Sequence, residues 1–284
     1  MGLIGHSEKV SCSDAVGKAA RLIRASGRRV YSDPDTSRSA GIKATIRPDA
    51  AALAGEVDLL LVFGGDGTLL GVAREIAGSP TPLLGVNIGG LGFLTAVPSD
   101  GLPNALKQVW AGQFKFESRA LLEATVKCNG RNIRQSALND IVIGRGVVSR
   151  LIELDVDVDG EPLSRYRCDG LIVSSPTGST AYSLAAGGAL VFPTAEVFAL
   201  TPISPHTLSN RSLILPLTAT IHIKPIRPDS PVILSADGQV LSELASGDVV
   251  TVRRSRRSVR LMHLADSSYF EALRRKLHWR GTYL

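Results

Sequence analysis

The stretch that most constrains this chain is Val57-Asp58-Leu59-Leu60-Leu61-Val62-Phe63-Gly64-Gly65-Asp66-Gly67-Thr68, where an apolar run stops at three glycines around one carboxylate. A run this short and this apolar suits a strand buried on both faces of a parallel sheet. Ligands of open α/β sheets gather beyond the carboxyl ends of such strands, so Asp66 falls where chemistry is done. Glycines let backbone amides approach a phosphate closely. Leu69, Leu70, Val72, Ala73 and Ile76 follow at helical spacing and aim a helix N-terminus at the same place. The stretch reads as a phosphate-facing loop, Gly64, Gly65, Gly67 and Thr68, carrying a base, Asp66. No Lys-Ser/Thr pair follows the glycines, which excludes the P-loop pattern, and their spacing does not fit the dinucleotide fingerprint. The alternative is a tight turn in which Asp66 is an ordinary helix N-cap.

With 284 residues, 44% apolar and 20% charged, the chain can bury a substantial core and is long enough for two domains. No apolar run approaches the roughly 20 residues that span a bilayer. Glu8 and Asp14 follow too closely on Gly2-Leu3-Ile4 for a signal peptide, so a cytoplasmic protein with no membrane partner is expected. Cys12, Cys128 and Cys168 are too few and too scattered for a disulfide framework or a zinc site, and reduced thiols with no protein metal ligands are expected. A net charge of +6 suits an anionic ligand without choosing among polyphosphate, nucleotide and nucleic acid. The basic run from Arg253 to Arg260 lacks interleaved aromatics and follows a strand-like Val249–Val252; it reads as a solvated hairpin rather than a nucleic-acid patch.

In chain order, Ala15, Val16, Ala19, Ala20, Leu22 and Ile23 predict a helix over 14–26 that ends at Gly27. The opening strand at Leu3-Ile4 is short for an α/β domain, which suggests residues missing before it. Residues 32–50, rich in Ser, Asp and Pro, read as loop. Leu83–Ile88 reads as another buried strand ending in a second glycine cluster, Gly89 to Thr95, and a helix over 102–111 completes an α/β domain over 1–112. Residues 113–264 read as a β-rich domain: Leu122, Ala124, Val126 and Cys128 alternate, Asn129-Gly130 turns, and 133–143 returns. Ile152 to Val158 alternate before Asp159-Gly160, with further strands at 211–217, 219–224, 231–236 and 249–254. Within 265–284 a terminal helix is expected to pack back through Phe270, Leu273 and Leu277.

A second loop, Asp169-Gly170-Leu171-Ile172-Val173-Ser174-Ser175-Pro176-Thr177-Gly178-Ser179-Thr180-Ala181-Tyr182-Ser183, resembles the glycine-rich signature of the NAD kinases. Gly64 to Thr68, the pair Asn139-Asp140, and Thr201-Pro202-Ile203-Ser204-Pro205-His206-Thr207-Leu208-Ser209 extend the resemblance over most of the chain in that family's order. Gly-Gly-Asp-Gly alone is shared with 6-phosphofructokinases and with diacylglycerol and sphingosine kinases; the later motifs make the match specific to NAD kinases of bacterial type.

The resemblance implies a Rossmann-like, mostly parallel α/β domain followed by a β-rich NAD-binding domain. It implies transfer of a phosphoryl group from ATP or polyphosphate to the 2′-hydroxyl of NAD's adenosine ribose, giving NADP, with Asp66 as general base. Mg²⁺ would accompany the donor phosphates, with no prosthetic group and no protein metal site. The same resemblance implies that Gly67 touches substrate, that Asn139 and Asp140 contact the adenosine, and that Arg167 and Asp169 line the dinucleotide site, partly across a subunit boundary in a homodimer or homotetramer. It places Thr180, Ala181, Tyr182, Ser183, Leu184 and Ala185 along the NAD pocket, Arg150 and Gln239 at its periphery, and Phe93 beside the adenine. Many relatives have Glu at Asp140 and Pro at Ser212, and His206 reads as a structural residue of a Pro-rich turn. Two other functions fit the first glycine loop taken alone: a lipid kinase of the diacylglycerol or sphingosine type, and a non-catalytic NAD-sensing regulator. The hydroxyl-rich second loop disfavours a lipid site, and a base at Asp66 is more than a sensor needs.

Overall fold

The computed structural model describes residues 1–5, 10–90, 92–95, 97–128, 130–146, 150–207, 211–226 and 231–279. The chain divides into two compact units, Met1–Ser118 with Val259–Leu284, and Arg119–Ser258.

The first unit begins with β1 (Gly2–Gly5), α1 (Val10–Ala25), β2 (Tyr31–Ser32), α2 (Pro34–Ser39), β3 (Thr45–Ile46) and α3 (Ala50–Ala54). It continues with β4 (Leu60–Gly64), α4 (Asp66–Glu75), β5 (Leu83–Asn87), β6 (Val97–Pro98) and α5 (Leu102–Trp110). Its strands pair in parallel in the order β5-β4-β1-β2-β3, with β6 on β5. Every residue of β4 is buried, as its apolar run requires of a strand between β1 and β5. Burying Leu60, Leu61, Val62 and Phe63 stabilises by about 1.5–3 kcal/mol each, which outweighs the fraction of a kcal/mol that each following glycine costs. The strand therefore anchors a loop that could not hold its own shape. Cys12, Ala15, Val16, Ala19, Ala20 and Ile23 form the buried stripe of α1, which closes at Gly27 with φ +76°.

Residues 32–50 depart from the loop expectation. Asp33 accepts from Thr36 N at 2.9 Å with Pro34 in the first turn, and Asp49 accepts from Ala52 N at 2.8 Å, so two Asp residues that resemble loop composition are the N-caps of α2 and α3.

The second unit is mainly antiparallel. Its elements are β7 (Phe114–Cys128, begun in the first unit), β8 (Arg131–Ala137), β9 (Asp140–Arg145), β10 (Ile152–Val158), β11 (Glu161–Cys168) and β12 (Gly170–Ser174). There follow α6 (Tyr182–Ala185), β13 (Val197–Ile203), β14 (Leu213–Pro216), β15 (Ile221–Ile226), β16 (Val232–Ala236), β17 (Gln239–Leu244) and β18 (Val250–Leu264), whose last residues return to the first unit. One sheet runs β14-β13-β12-β9-β16-β17; β11, β10, β15 and β18 pair in sequence in the other, and β7 pairs with β8. Inward residues of both sheets, among them Leu122, Leu154, Tyr166, Leu171, Phe198, Ile223 and Val252, form one core. All three cysteines are buried and none forms a disulfide, and burial pushes the Cys168 thiol up to about 11.

Two expectations change here. The return strand over 133–143 is two strands, β8 and β9, broken at Leu138-Asn139; the reason lies in the site. The basic run is no hairpin: it belongs to the fifteen-residue β18, with Ser255 and Val259 buried between outward arginines. Arg253 and Arg134 both pair with the buried Glu123, whose carboxyl they hold below the ordinary range against the opposing effect of burial. The edge strand β17 had no strong period-2 signal, since Gln239 and Val240 are both exposed. Asn129 of the expected turn lies outside the described residues, whereas Asp159 and Gly160 both take positive φ and make theirs.

The last element, α7 (Tyr269–Lys276), belongs to the first unit and is capped by Ser268. Leu273 is buried and Leu277 half-buried, but Phe270 is 59% exposed, with its ring tilted against that of Tyr269 at a centroid distance of 5.8 Å, so its expected docking is corrected.

Candidate active site

In the first unit, β4 delivers Gly64-Gly65-Asp66 into the N-terminus of α4. Gly65 is the N-cap and caps with no side chain; Asp66 is the first helical residue, so the N-cap alternative does not describe it. Its carboxylate reaches across to the second glycine cluster. Oδ2 accepts from Phe93 N at 2.8 Å, while Oδ1 accepts from Leu94 N and Thr95 N, each at 3.1 Å, and from Thr95 Oγ1 at 3.0 Å. Asn87, at the end of β5, orients that hydroxyl by donating Nδ2 to Thr95 Oγ1 at 2.9 Å. The close approach requires Gly92, where a Cβ would collide with the Asp66 carboxylate, 2.8 Å from its Cγ. A Cβ at Gly65 or Gly67 would meet nothing within 4 Å, so the loop's amides can be approached from that side. Thr68, half-buried, lies one turn into the helix. Phe93 is half-buried with Lys276 Nζ 5.6 Å from its ring centroid. The two strand ends thus form one constellation. Thr95 and Asn87 are members that sequence reasoning missed, although both polar residues flank an apolar strand and its glycines. Leu91 lies outside the described residues.

The second unit has its own constellation, at the junction of β9, β12 and β16. Asp140 lies opposite Ser174, and Ile141 opposite Ala236. Ser175 N donates to Asn139 O at 2.9 Å and Ser175 Oγ to Leu138 O at 2.5 Å. Gly178 is required where it stands, because a Cβ there would lie 2.5 Å from the Asn139 carbonyl carbon and 2.7 Å from its Cα. On the opposite side, the carboxylate of Asp237 accepts from Leu138 N, Asn139 N and Asp140 N at 3.0, 2.8 and 3.2 Å. Backbone donors that a continuous β8–β9 strand would give to a ladder go to a side chain instead, and this breaks the strand. Burial, then the neighbouring Asp237 charge, pushes the Asp140 carboxyl up to about 7. Asn139 Oδ1 is buried and makes no hydrogen bond. Such an atom costs free energy until something donates to it.

Next to this junction, residues 177–180 form a 3-10 turn leading into α6. Thr180, Ala181 and Leu184 are half-buried, Tyr182 and Ala185 exposed. Ser183 is buried, in a hydroxyl chain to Thr201 at 3.0 Å and on to the half-buried Ser212 at 2.8 Å, which gives Ser212 a hydrogen-bonding role here. Gln239 is exposed just beyond the Asp237-Gly238 turn. Asn139, Asp140, the 175–185 segment and Gln239 are therefore neighbours in this unit. Three others are not with them. Asp169 precedes β12 at its other end, held by Arg145 at 2.8 Å. Arg167 is exposed on β11 and its carbonyl accepts from His206 N at 2.8 Å, giving that histidine a backbone role. Arg150 is exposed ahead of β10. Leu208 and Ser209 lie outside the described residues. Asp237 is the largest omission of the sequence reading, since its partners stand up to 99 positions away.

The ATP-NAD kinase N-terminal domain model matches residues 1–114, and the ATP-NAD kinase C-terminal domain model matches residues 138–264. The NAD kinase of Syntrophotalea carbinolica is 42% identical over 283 residues, 98% of this chain and 99% of that protein. The NAD kinase of Polaromonas naphthalenivorans is 40% identical over 280 residues, covering 98% and 96%. Among solved structures, yeast NADH kinase complexed with NADH superposes with a TM-score of 0.90 at 28% identity, covering 100% of this chain and 88% of that one. An NAD kinase from Archaeoglobus fulgidus in complex with ATP shares the fold, with a TM-score of 0.78 at 23% identity over 99% of each chain.

Proposed function

The chain belongs to the NAD kinase family, and from that premise we propose that Asp66 is the base that takes the proton of the ribose 2′-hydroxyl as it attacks the donor's terminal phosphorus. The observation that carries this reading is the unequal loading of the carboxylate. Oδ1 already accepts three hydrogen bonds, whereas Oδ2 accepts one and keeps a lone pair for the hydroxyl. The 2′-oxygen forms its bond to phosphorus, the bond to the bridging oxygen of the leaving phosphate breaks, and the proton passes to Oδ2. Donors on both oxygens hold the carboxylate in one orientation, which favours proton transfer at fixed geometry. Amides of Gly65 and Gly67, at the positive end of α4, suit the phosphate oxygens of ATP or of polyphosphate.

Among the described residues no cluster of three His, Cys, Asp or Glu side chains could hold a metal; Asp66 Oδ1 is filled by three donors, and the lone pair left on Oδ2 is the one assigned to the ribose hydroxyl. The residues therefore do not fit a resident Mg²⁺, and we assign the ion to the donor, entering as part of a Mg²⁺–polyphosphate substrate. Asn139 and Asp140 are assigned to the adenosine, supported by the unsatisfied Asn139 Oδ1, which an exocyclic amine or a ribose hydroxyl could satisfy. Residues 180–185 are assigned to the rest of the dinucleotide, with Gln239 and Arg150 at its margin and Phe93 near the adenine. Arg167 and Asp169 sit apart from this group and are assigned to the dinucleotide site of another subunit in a homodimer or homotetramer.

The test is Asp66→Asn, assayed for NADP formation and for NAD binding. Asn retains an oxygen for the three donors now on Oδ1 but cannot take the proton. Turnover should fall by at least about 10² while NAD affinity is largely kept. Near wild-type turnover would refute the base assignment.

A further inference from the structure

Asp237 makes no contact that the sequence motifs predict, yet it organises the segment on which the adenosine assignment depends. We infer that Asp237 is a positioning residue for the dinucleotide: its carboxylate fixes the backbone of residues 138–140, and so sets where Asn139 and Asp140 meet the substrate. The inference rests on the assignment of those two residues to the adenosine.

Three successive amides converge on one carboxylate, Asn139 N and Asp140 N on Oδ1 and Leu138 N on Oδ2. The contact is reciprocal, since Asp237 N donates to Asp140 O at 3.0 Å. Hydrogen bonds to an ionised acceptor are about twice as strong as neutral ones. No neutral side chain of this size could take all three, because Asn offers one acceptor oxygen and would turn an NH₂ toward the third amide. Asp237 is itself held at φ +46°, followed by Gly238 at +77°, in the turn that joins β16 to β17. Asp followed by Gly is the pair that such a two-residue hairpin turn favours, and this turn also sets the Asp237 carboxylate where it reaches back to β9. From the opposite side, Ser175 binds the carbonyls of Leu138 and Asn139, and Gly178 lies against the Asn139 backbone. The segment is clamped between two loops, and its donors are all on the Asp237 side. Proximity has a cost. Asp237 adds a negative charge beside the buried Asp140, a repulsion that a purely structural turn would avoid with Asn.

The experiment compares Asp237→Asn with Asn139→Ala in the full chain. Michaelis constants for NAD and ATP are measured, together with hydrogen–deuterium exchange of the peptide covering 138–140. The expected result for Asp237→Asn is exchange at least tenfold faster in that peptide, a Michaelis constant for NAD raised at least tenfold, and one for ATP changed less than twofold. Unchanged exchange, or an NAD constant that stays put while exchange accelerates, would overturn the inference. Asn139→Ala separates the two levels of reading: if it leaves the NAD constant unchanged, the adenosine assignment fails, whereas a rise there with no rise in Asp237→Asn refutes the positioning role alone. If Asp237→Asn does not fold, Asp237→Ser, which can accept one amide, takes the same measurements under the same criteria.

Discussion

Asp140→Asn should stabilise the protein by a margin that opens as pH rises above 3.8 and is complete above about 7. In the folded protein burial and the Asp237 charge raise the Asp140 carboxyl from the ordinary 3.8 to about 7. The folded chain thus binds this proton more tightly than the unfolded chain does. The contribution to stability is fully present below 3.8 and is lost as pH rises through about 7. Above that, an ionised carboxylate is held in the interior beside another. At 1.36 kcal/mol per pH unit the difference amounts to about 4 kcal/mol, a ceiling that relaxation around the charge reduces. Asn has nearly the same shape and no charge, so it removes the pH-dependent cost. Urea unfolding of wild type and Asp140→Asn, without nucleotide, at pH 4, 6 and 8 reads the effect directly. The variant should match wild type at the lowest pH and exceed it by a margin that grows toward pH 8. A margin independent of pH, or one that shrinks as pH rises, would refute the assignment of a neutral, buried Asp140 below pH 7.

Gly178→Ala should lower the melting temperature by the equivalent of about 1–3 kcal/mol, because the added Cβ would press on the backbone of Asn139 rather than on a yielding side chain; an unchanged melting temperature would show that the loop moves freely. Mixing inactive Asp66→Asn chains with inactive Asp169→Ala chains should restore NADP formation after subunit exchange. Asp169 and Ser175 flank the five residues of β12 and so stand about 20 Å apart at 3.3 Å per residue, and a second subunit can bring the far end to the site. Exchange confirmed by mass without recovered activity would refute the shared site.

Both Asp66 and the elements beside it were readable because their causes are local. The apolar run that becomes β4, the stripe of α1 with Gly27 behind it, and the helix before Gly112 depend on neighbours within a turn or two. The N-caps Asp33 and Asp49 were equally local, and were obscured only because cap residues and loop residues have the same composition. The basic run misled for a different reason. Alternating burial in β18 is carried by Ser255 and Val259 among arginines, so the inward face has too few apolar residues to show a period.

By itself the sequence determined the elements whose causes are local, among them α1, β4, β5 and α5, which glycine loops follow the two strands, and that Asp66 stands at a buried strand's end. Tertiary structure alone decided what that carboxylate binds and where the chain breaks between β8 and β9. Asp66 meets donors 27 to 29 positions away, and the break is made by a carboxylate 97 to 99 positions away. Periodicity and turn chemistry are set by a residue's immediate neighbours, whereas a buried amide finds its acceptor only after distant strands have paired and closed the space around it.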